Sequence, residues 1–202
     1  TNWLTFTAEG EQSLIIGASG NMEIPDLMEY STDGGTSWYK PEVGTPISFG
    51  NEIKLYLRAK SSIGTAEDPF AYLEFQFETE VKVACSGDIR TLVDYTNPTG
   101  ADTSNARFCY LFVNCTQLTE APELPAETLT ASCYTTMFSG CEKLSSVTML
   151  AKTNVNAYSA LYHWLDGTKE GCTLYVASGM EANGTIEGSL PTGWTVEVAA
   201  TN

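Results

Sequence analysis

One histidine sets the terms for any catalytic reading of this chain. His163 lies in Tyr162-His163-Trp164, with no serine or cysteine nucleophile signature beside it. A packed, hydrogen-bonded core histidine is the better expectation than a general base. Three carboxylates, Glu120, Glu123 and Glu127, cluster in one short segment. Paired carboxylates can hydrolyse a glycosidic bond when they flank a cleft, but a solvated acidic surface explains the cluster more simply. Glu120 and Glu123 are retained as ligand-binding candidates. No Asp-x-Asp-x-Asp-Gly loop accompanies the carboxylates, so calcium is not expected. Exposed aromatic rings can stack on sugars: Trp3, Trp38, Tyr39, Trp164 and Trp194 are candidates, and Trp38 and Tyr39 beside a turn are the better ones, since Trp164 and Trp194 are expected to be buried. Six cysteines invite a disulfide framework, yet no C-x-x-C occurs and the chain is long for a secreted knot. The expectation is no enzyme activity, no catalytic residue, no metal and no cofactor.

Charge limits the partners. The 202 residues hold 10 Lys+Arg against 25 Asp+Glu, a net charge of -15. Residues 1–80 carry 13 acids and 4 bases, and residues 81–202 carry 12 and 6, so averaging hides no basic patch. Nucleic acid and anionic membranes both need a basic face, and neither is expected as a partner. Hydrophobic residues make up 43%, enough for a packed core. No apolar run approaches the roughly 20 residues of a membrane span. The chain opens on Thr1 with no basic or apolar leader, as a processed or trimmed chain does.

The elements that must position these residues fall into two textures. Residues 1–80 read as short strands separated by Gly, Asp, Asn and Pro. Lys54-Leu55-Tyr56-Leu57-Arg58 and Tyr72-Leu73-Glu74-Phe75-Gln76-Phe77-Glu78 alternate with period two. Together they predict an antiparallel, immunoglobulin-like β-sandwich. From residue 81 a 26-residue repeat takes over. Phe112 falls on Phe138, Cys115 on Cys141 and Leu118 on Leu144. A degraded third copy places Trp164 on Phe138 and His163 on Met137, a core-facing station. Tyr134, Met137, Phe138 and Cys141, like Phe108, Leu111, Phe112 and Cys115, follow i, i+3, i+4, i+7 and predict one face of a short helix. The expected fold is therefore α+β: a sandwich over 1–80, then a short leucine-rich-repeat solenoid over 81–202. Its parallel sheet and short helices would end in a C-terminal cap. Cysteines at equivalent stations of successive helices would stand about 10 Å apart, too far for a disulfide, and read as core filler. The absence of Gly, Pro and Ser from 75–83 predicts that the two units pack rigidly.

Two resemblances complete the reading. Ser31-Thr32-Asp33-Gly34-Gly35-Thr36-Ser37-Trp38 resembles the Asp-box of sialidase-type propellers, a structural hairpin; here it predicts a turn capped by Asp33 with Trp38 packed beneath. Leu124-Pro125-Ala126 through Thr128-Leu129, followed by Ser132-Cys133-Tyr134, Met137-Phe138 and Gly140-Cys141 to Leu144, resembles the BspA-like leucine-rich-repeat surface proteins of gut Bacteroides. Leu190-Pro191 with Gly193-Trp194-Thr195-Val196 is similar to their C-terminal cap. Leu4, Phe6-Thr7-Ala8 and Tyr30 to Trp38 are similar to the sandwich domain placed before such repeats. The resemblance implies an extracellular or outer-membrane-surface protein, often lipid-anchored through an upstream cysteine, with no cofactor. It implies binding or adhesion to host or bacterial surface proteins, with a glycan-binding module of a polysaccharide-capture system as the alternative; the chain itself is expected to be a monomer.

Overall fold

The computed structural model of the chain describes residues 2–50 and 52–201. Twelve strands follow in chain order: β1 (Leu4–Ala8), β2 (Ser13–Ser19), β3 (Glu29–Ser31), β4 (Ile47–Ser48), β5 (Lys54–Arg58), β6 (Ala66–Asp68), β7 (Ala71–Phe77), β8 (Val83–Ser86), β9 (Leu118–Glu120), β10 (Ser146–Met149), β11 (Thr173–Val176) and β12 (Thr195–Val198). One short α-helix, α1 (Gly184–Gly188), precedes β12, and two single-turn 3-10 segments cover Ile89–Leu92 and Pro98–Gly100. The strands form a five-stranded sheet ordered β3-β5-β1-β8-β9, a four-stranded sheet ordered β4-β2-β7-β6 and a three-stranded sheet ordered β10-β11-β12. The last is parallel throughout.

Period-two patterning places the first two sheets. β1 buries Leu4, Phe6 and Ala8, β5 buries Leu55 and Leu57, and β7 buries Ala71, Leu73 and Phe75. Phe6 meets Phe75 edge to face at 5.1 Å, so the two sheets share one core. Phe75 in turn meets Phe112 at 5.3 Å, and Phe112 stacks on Phe138 at 5.5 Å. The core therefore runs without interruption from β1 into the repeat. Residues 79–81 are strapped down rather than loose. The buried Gln12 donates from Nε2 to the Thr79 and Val81 carbonyls and accepts from the Ser13 and Thr79 amides. Gln117 adds a further bond to Thr79.

The α+β expectation is overturned. The fold is mostly β, 31% strand against 6% helix, and among the described residues no helical layer or helix-and-strand solenoid is present. The segments expected to be helices, 108–115 and 134–141, are runs of tight turns. Tyr110, Asn114, Thr136 and Gly140 all have φ between 55° and 80°, and a left-handed residue at every fourth position breaks an α-helical ladder. Alternate amides close turns, as from Leu111 to Phe108 and from Met137 to Tyr134. The others reach the neighbouring copy: Phe108, Tyr110, Phe112 and Asn114 donate to Cys133, Thr135, Met137 and Ser139. The helical spacing of buried residues was real, but stacked turns satisfy it equally well.

The third copy begins one residue later than the 26-residue repeat predicts. The left-handed positions pair Ser132 with Ser159, Thr136 with His163 and Gly140 with Gly167, each 27 apart. The strands agree, since Ser146 pairs with Thr173 and Met149 with Val176. Trp164 thus takes the Met137 station, wholly buried, and stacks on Tyr134 at 6.2 Å. The expectation of a core histidine is corrected accordingly. His163 stands at the Thr136 station, its side chain 51% exposed and paired with Asp166.

Candidate binding face

The outer face of the five-stranded sheet collects most of the chemistry-bearing side chains of the amino-terminal part. Directly paired residues share a face. The register Thr5↔Tyr56, Thr7↔Lys54, Thr5↔Ser86, Thr7↔Ala84 and Ala84↔Glu120 sets these residues side by side. They are half-exposed or exposed, whereas their alternates Leu4, Phe6, Leu55, Leu57, Val83 and Cys85 are buried. Small residues of β1 and β8 (Thr5, Thr7, Ala84, Ser86) floor a shallow trough. Tyr56 and Lys54 wall one side and Glu120 stands on the other.

The turn 31–38 closes the aromatic end. Ser31 Oγ donates to Asp33 Oδ1 at 2.8 Å, and the Ser37 amide donates to the same oxygen at 2.8 Å. These bonds, the Ser37 amide foremost, hold the Asp33 carboxyl below the usual carboxylate range. Trp38 is half-buried beneath the turn and donates from Nε1 to the Gly35 carbonyl at 3.0 Å. Trp3 meets Trp38 edge-on at 4.9 Å and Tyr56 at 5.9 Å. A Cβ on Gly35 would lie 2.6 Å from the Trp3 ring, so only glycine lets Trp3 in.

Arg58 locks this corner. Its guanidinium lies 3.7 Å from the Trp38 ring centroid and 4.4 Å from that of Tyr95. Its Nε and Nη2 both donate to Glu29, at 2.9 and 2.8 Å. Arg58 is only 18% exposed, so it organises the rings rather than reaching for a ligand. Beside them lies a shallow polar groove lined by Thr32, Asp33, Gly34, Glu52, Lys54 and Tyr56.

The four residues singled out from the sequence are not brought together. Tyr39 bridges Tyr30 of β3, and Trp38 adjoins it. Glu120 ends β9, and Glu123 pairs with Asp88. The aromatic and acidic pairs therefore sit at opposite edges of the sheet, about 20 Å apart at about 4.8 Å per strand. Tyr39 is 55% exposed and stacks at a tilt on Tyr30. Trp38 is largely engaged by Arg58 and Trp3. Glu123 lines a separate small groove with Asn2, Gly87, Asp88, Arg90 and Pro125. Glu127 pairs with Lys152 at 2.8 Å, and this hydrogen bond lowers its carboxyl's pKa. Among the described residues no three His, Cys, Asp or Glu side chains converge as metal ligands, and no helix is long and apolar enough to cross a membrane.

Lys54, Tyr56 and Arg58 were not singled out from sequence, and Trp3 ranked behind Trp38 and Tyr39. The signal was present: the alternation of 54–58 already puts Lys54, Tyr56 and Arg58 on one face. No protein-family model, curated protein or solved structure matches the chain.

Proposed function

We propose that this protein is a non-enzymatic binding or adhesion protein of a bacterial surface or the extracellular space, recognising host or bacterial surface proteins. The observation that carries this reading is the outer face of the five-stranded sheet. Across its strands it mixes the Trp3 and Tyr56 rings, the Thr5, Thr7 and Ser86 hydroxyls and the charges of Lys54 and Glu120. Protein interfaces favour such surfaces, with aromatic anchors inside a polar rim. The resemblance of residues 124–144 and 190–196 to BspA-like surface proteins points the same way, as does the acidic balance of a protein kept soluble outside the cell. Immobilised matrix and bacterial surface proteins test the reading. Saturable binding to basic members of such a panel, weakened by salt and by Tyr56→Ala or Glu120→Lys, is expected. Absence of binding across the panel would overturn it.

A second reading, glycan capture, is favoured by the Trp3–Trp38–Tyr56 rings beside the hydroxyl-lined trough. It expects retention on a glycan array that is lost in Tyr56→Ala or Tyr39→Ala protein that remains folded.

A further inference from the structure

The three-stranded sheet ends on an unfinished strand. β12 is its last member, and among the described residues no strand pairs with its outer edge. The Thr195 and Ala199 amides donate inward to Cys172 and Val176, at 3.0 and 2.8 Å. In a parallel ladder alternate residues of a strand bond to the same neighbour. Val196 and Val198 therefore turn their amides and carbonyls outward. Their side chains point the same way as those of Leu174 and Val176, their partners in the register. At these stations Val147 and Met149 of β10 are 2% and 0% exposed, and Leu174 and Val176 of β11 are both 0%. Val198 is 42% exposed and Val196 half-exposed. The apolar row continues into β12, and the cover does not.

Charge says what fits there. Residues 169–202 contain Glu170, Glu181, Glu187 and Glu197 against the single base Lys169. Glu197 lies within β12 on the face opposite the valines, and Glu170 touches Gly193 at the strand's start. A second copy of this chain would bring like charge to like charge.

We infer that the outer edge of β12 receives an extended segment of a partner protein in which apolar residues alternate with Lys or Arg. The main chain of that segment would pair with Val196 and Val198, its apolar side chains would cover the two valines, and its basic side chains would face Glu197. Strand addition of this kind draws affinity from main-chain bonds and specificity from alternate side chains. The inference rests on the protein-recognition reading for its class of partner, but it uses a surface remote from the trough.

A synthetic peptide alternating Val and Lys is the probe, with a Val/Glu peptide as its opposite. The Val/Lys peptide should bind saturably and slow hydrogen exchange at the Val196 and Val198 amides. Val198→Pro removes one outward amide and leaves the bonds to β11 in place. It should weaken binding by about tenfold or more, as should Glu197→Lys, while exchange at Thr195 stays slow and reports an intact strand. Equal binding of the two peptides, binding unaffected by both variants, or protection appearing elsewhere would overturn the inference. So would self-association of the protein through this edge in sedimentation. Tyr56→Ala should leave peptide binding unchanged, so failure at the trough and failure at β12 remain distinguishable.

Discussion

His163 and Trp164 are adjacent, yet the backbone treats them oppositely. His163 has φ 51° and an exposed ring, and Trp164 is fully buried. A left-handed conformation costs an ordinary residue about 1–2 kcal/mol, and glycine escapes that cost. His163→Gly should therefore leave stability unchanged or raise it by up to about 1 kcal/mol. Trp164→Ala should lower it by about 3–5 kcal/mol. Urea unfolding of the two variants checks the assignment. A large loss at both positions would restore the 26-residue register through the third copy, which places His163 as well as Trp164 in the core. That register was misread because one inserted residue moves each side chain to its neighbour's station, and Tyr162-His163-Trp164 offers an aromatic ring at all three.

At the scale of the element, the cysteines explain how stacked turns satisfy their carbonyls. Cys115 Sγ donates to the Phe75 carbonyl at 3.2 Å, Cys141 Sγ to Phe112 at 3.1 Å and Cys172 Sγ to Leu144 at 3.2 Å. Each thiol fills core volume and also caps an acceptor in the preceding layer. All six cysteines are free and buried. Burial pushes the Cys109, Cys133 and Cys141 thiols up to about 12. Iodoacetamide at pH 8 should therefore leave the native chain unlabelled and label it fully in denaturant. Cys141→Ala should cost about 1–2 kcal/mol by chemical denaturation, from lost packing and from the loss of a second donor to the Phe112 carbonyl, which keeps its bond from the Cys115 amide. The strands were legible at this scale, because Lys54 to Arg58 alternates without interruption. The turns were not, because Phe108, Leu111, Phe112 and Cys115 give the same spacing on a helix. Asn114, Ser132 and Gly140, all poor helix formers at left-handed positions, were the overlooked signal.

At the scale of the whole molecule, the five-stranded sheet draws on both sides of residue 80. β1 lies between β5 and β8, and β9 forms the sheet's edge. Strand-like patterning located β1, β3 and β5, and the repeat located the neighbourhood of β9, but β8 was not expected as a strand. Patterning could not reveal the pairing of Thr5 with Ser86, because nothing local encodes such a partner. The same long range kept Glu120 and Trp38 from being placed on one sheet. A chain cut after residue 80 would lose β8, the Val81 carbonyl that holds Gln12 and the Phe112 ring against Phe75. That fragment should show no cooperative thermal transition by circular dichroism. A sharp transition would make residues 1–80 an independent folding unit.

The central place of β1 also has a consequence in time. At about 5–20 residues per second of synthesis, β8 follows β1 by roughly 4–15 s. Throughout that interval the second edge of a strand carrying Leu4 and Phe6 has no mate. Glu9 and Glu11 directly follow β1, where charge discourages association of nascent chains with one another. The emerging chain must therefore wait for its own sequel before its first strand is closed.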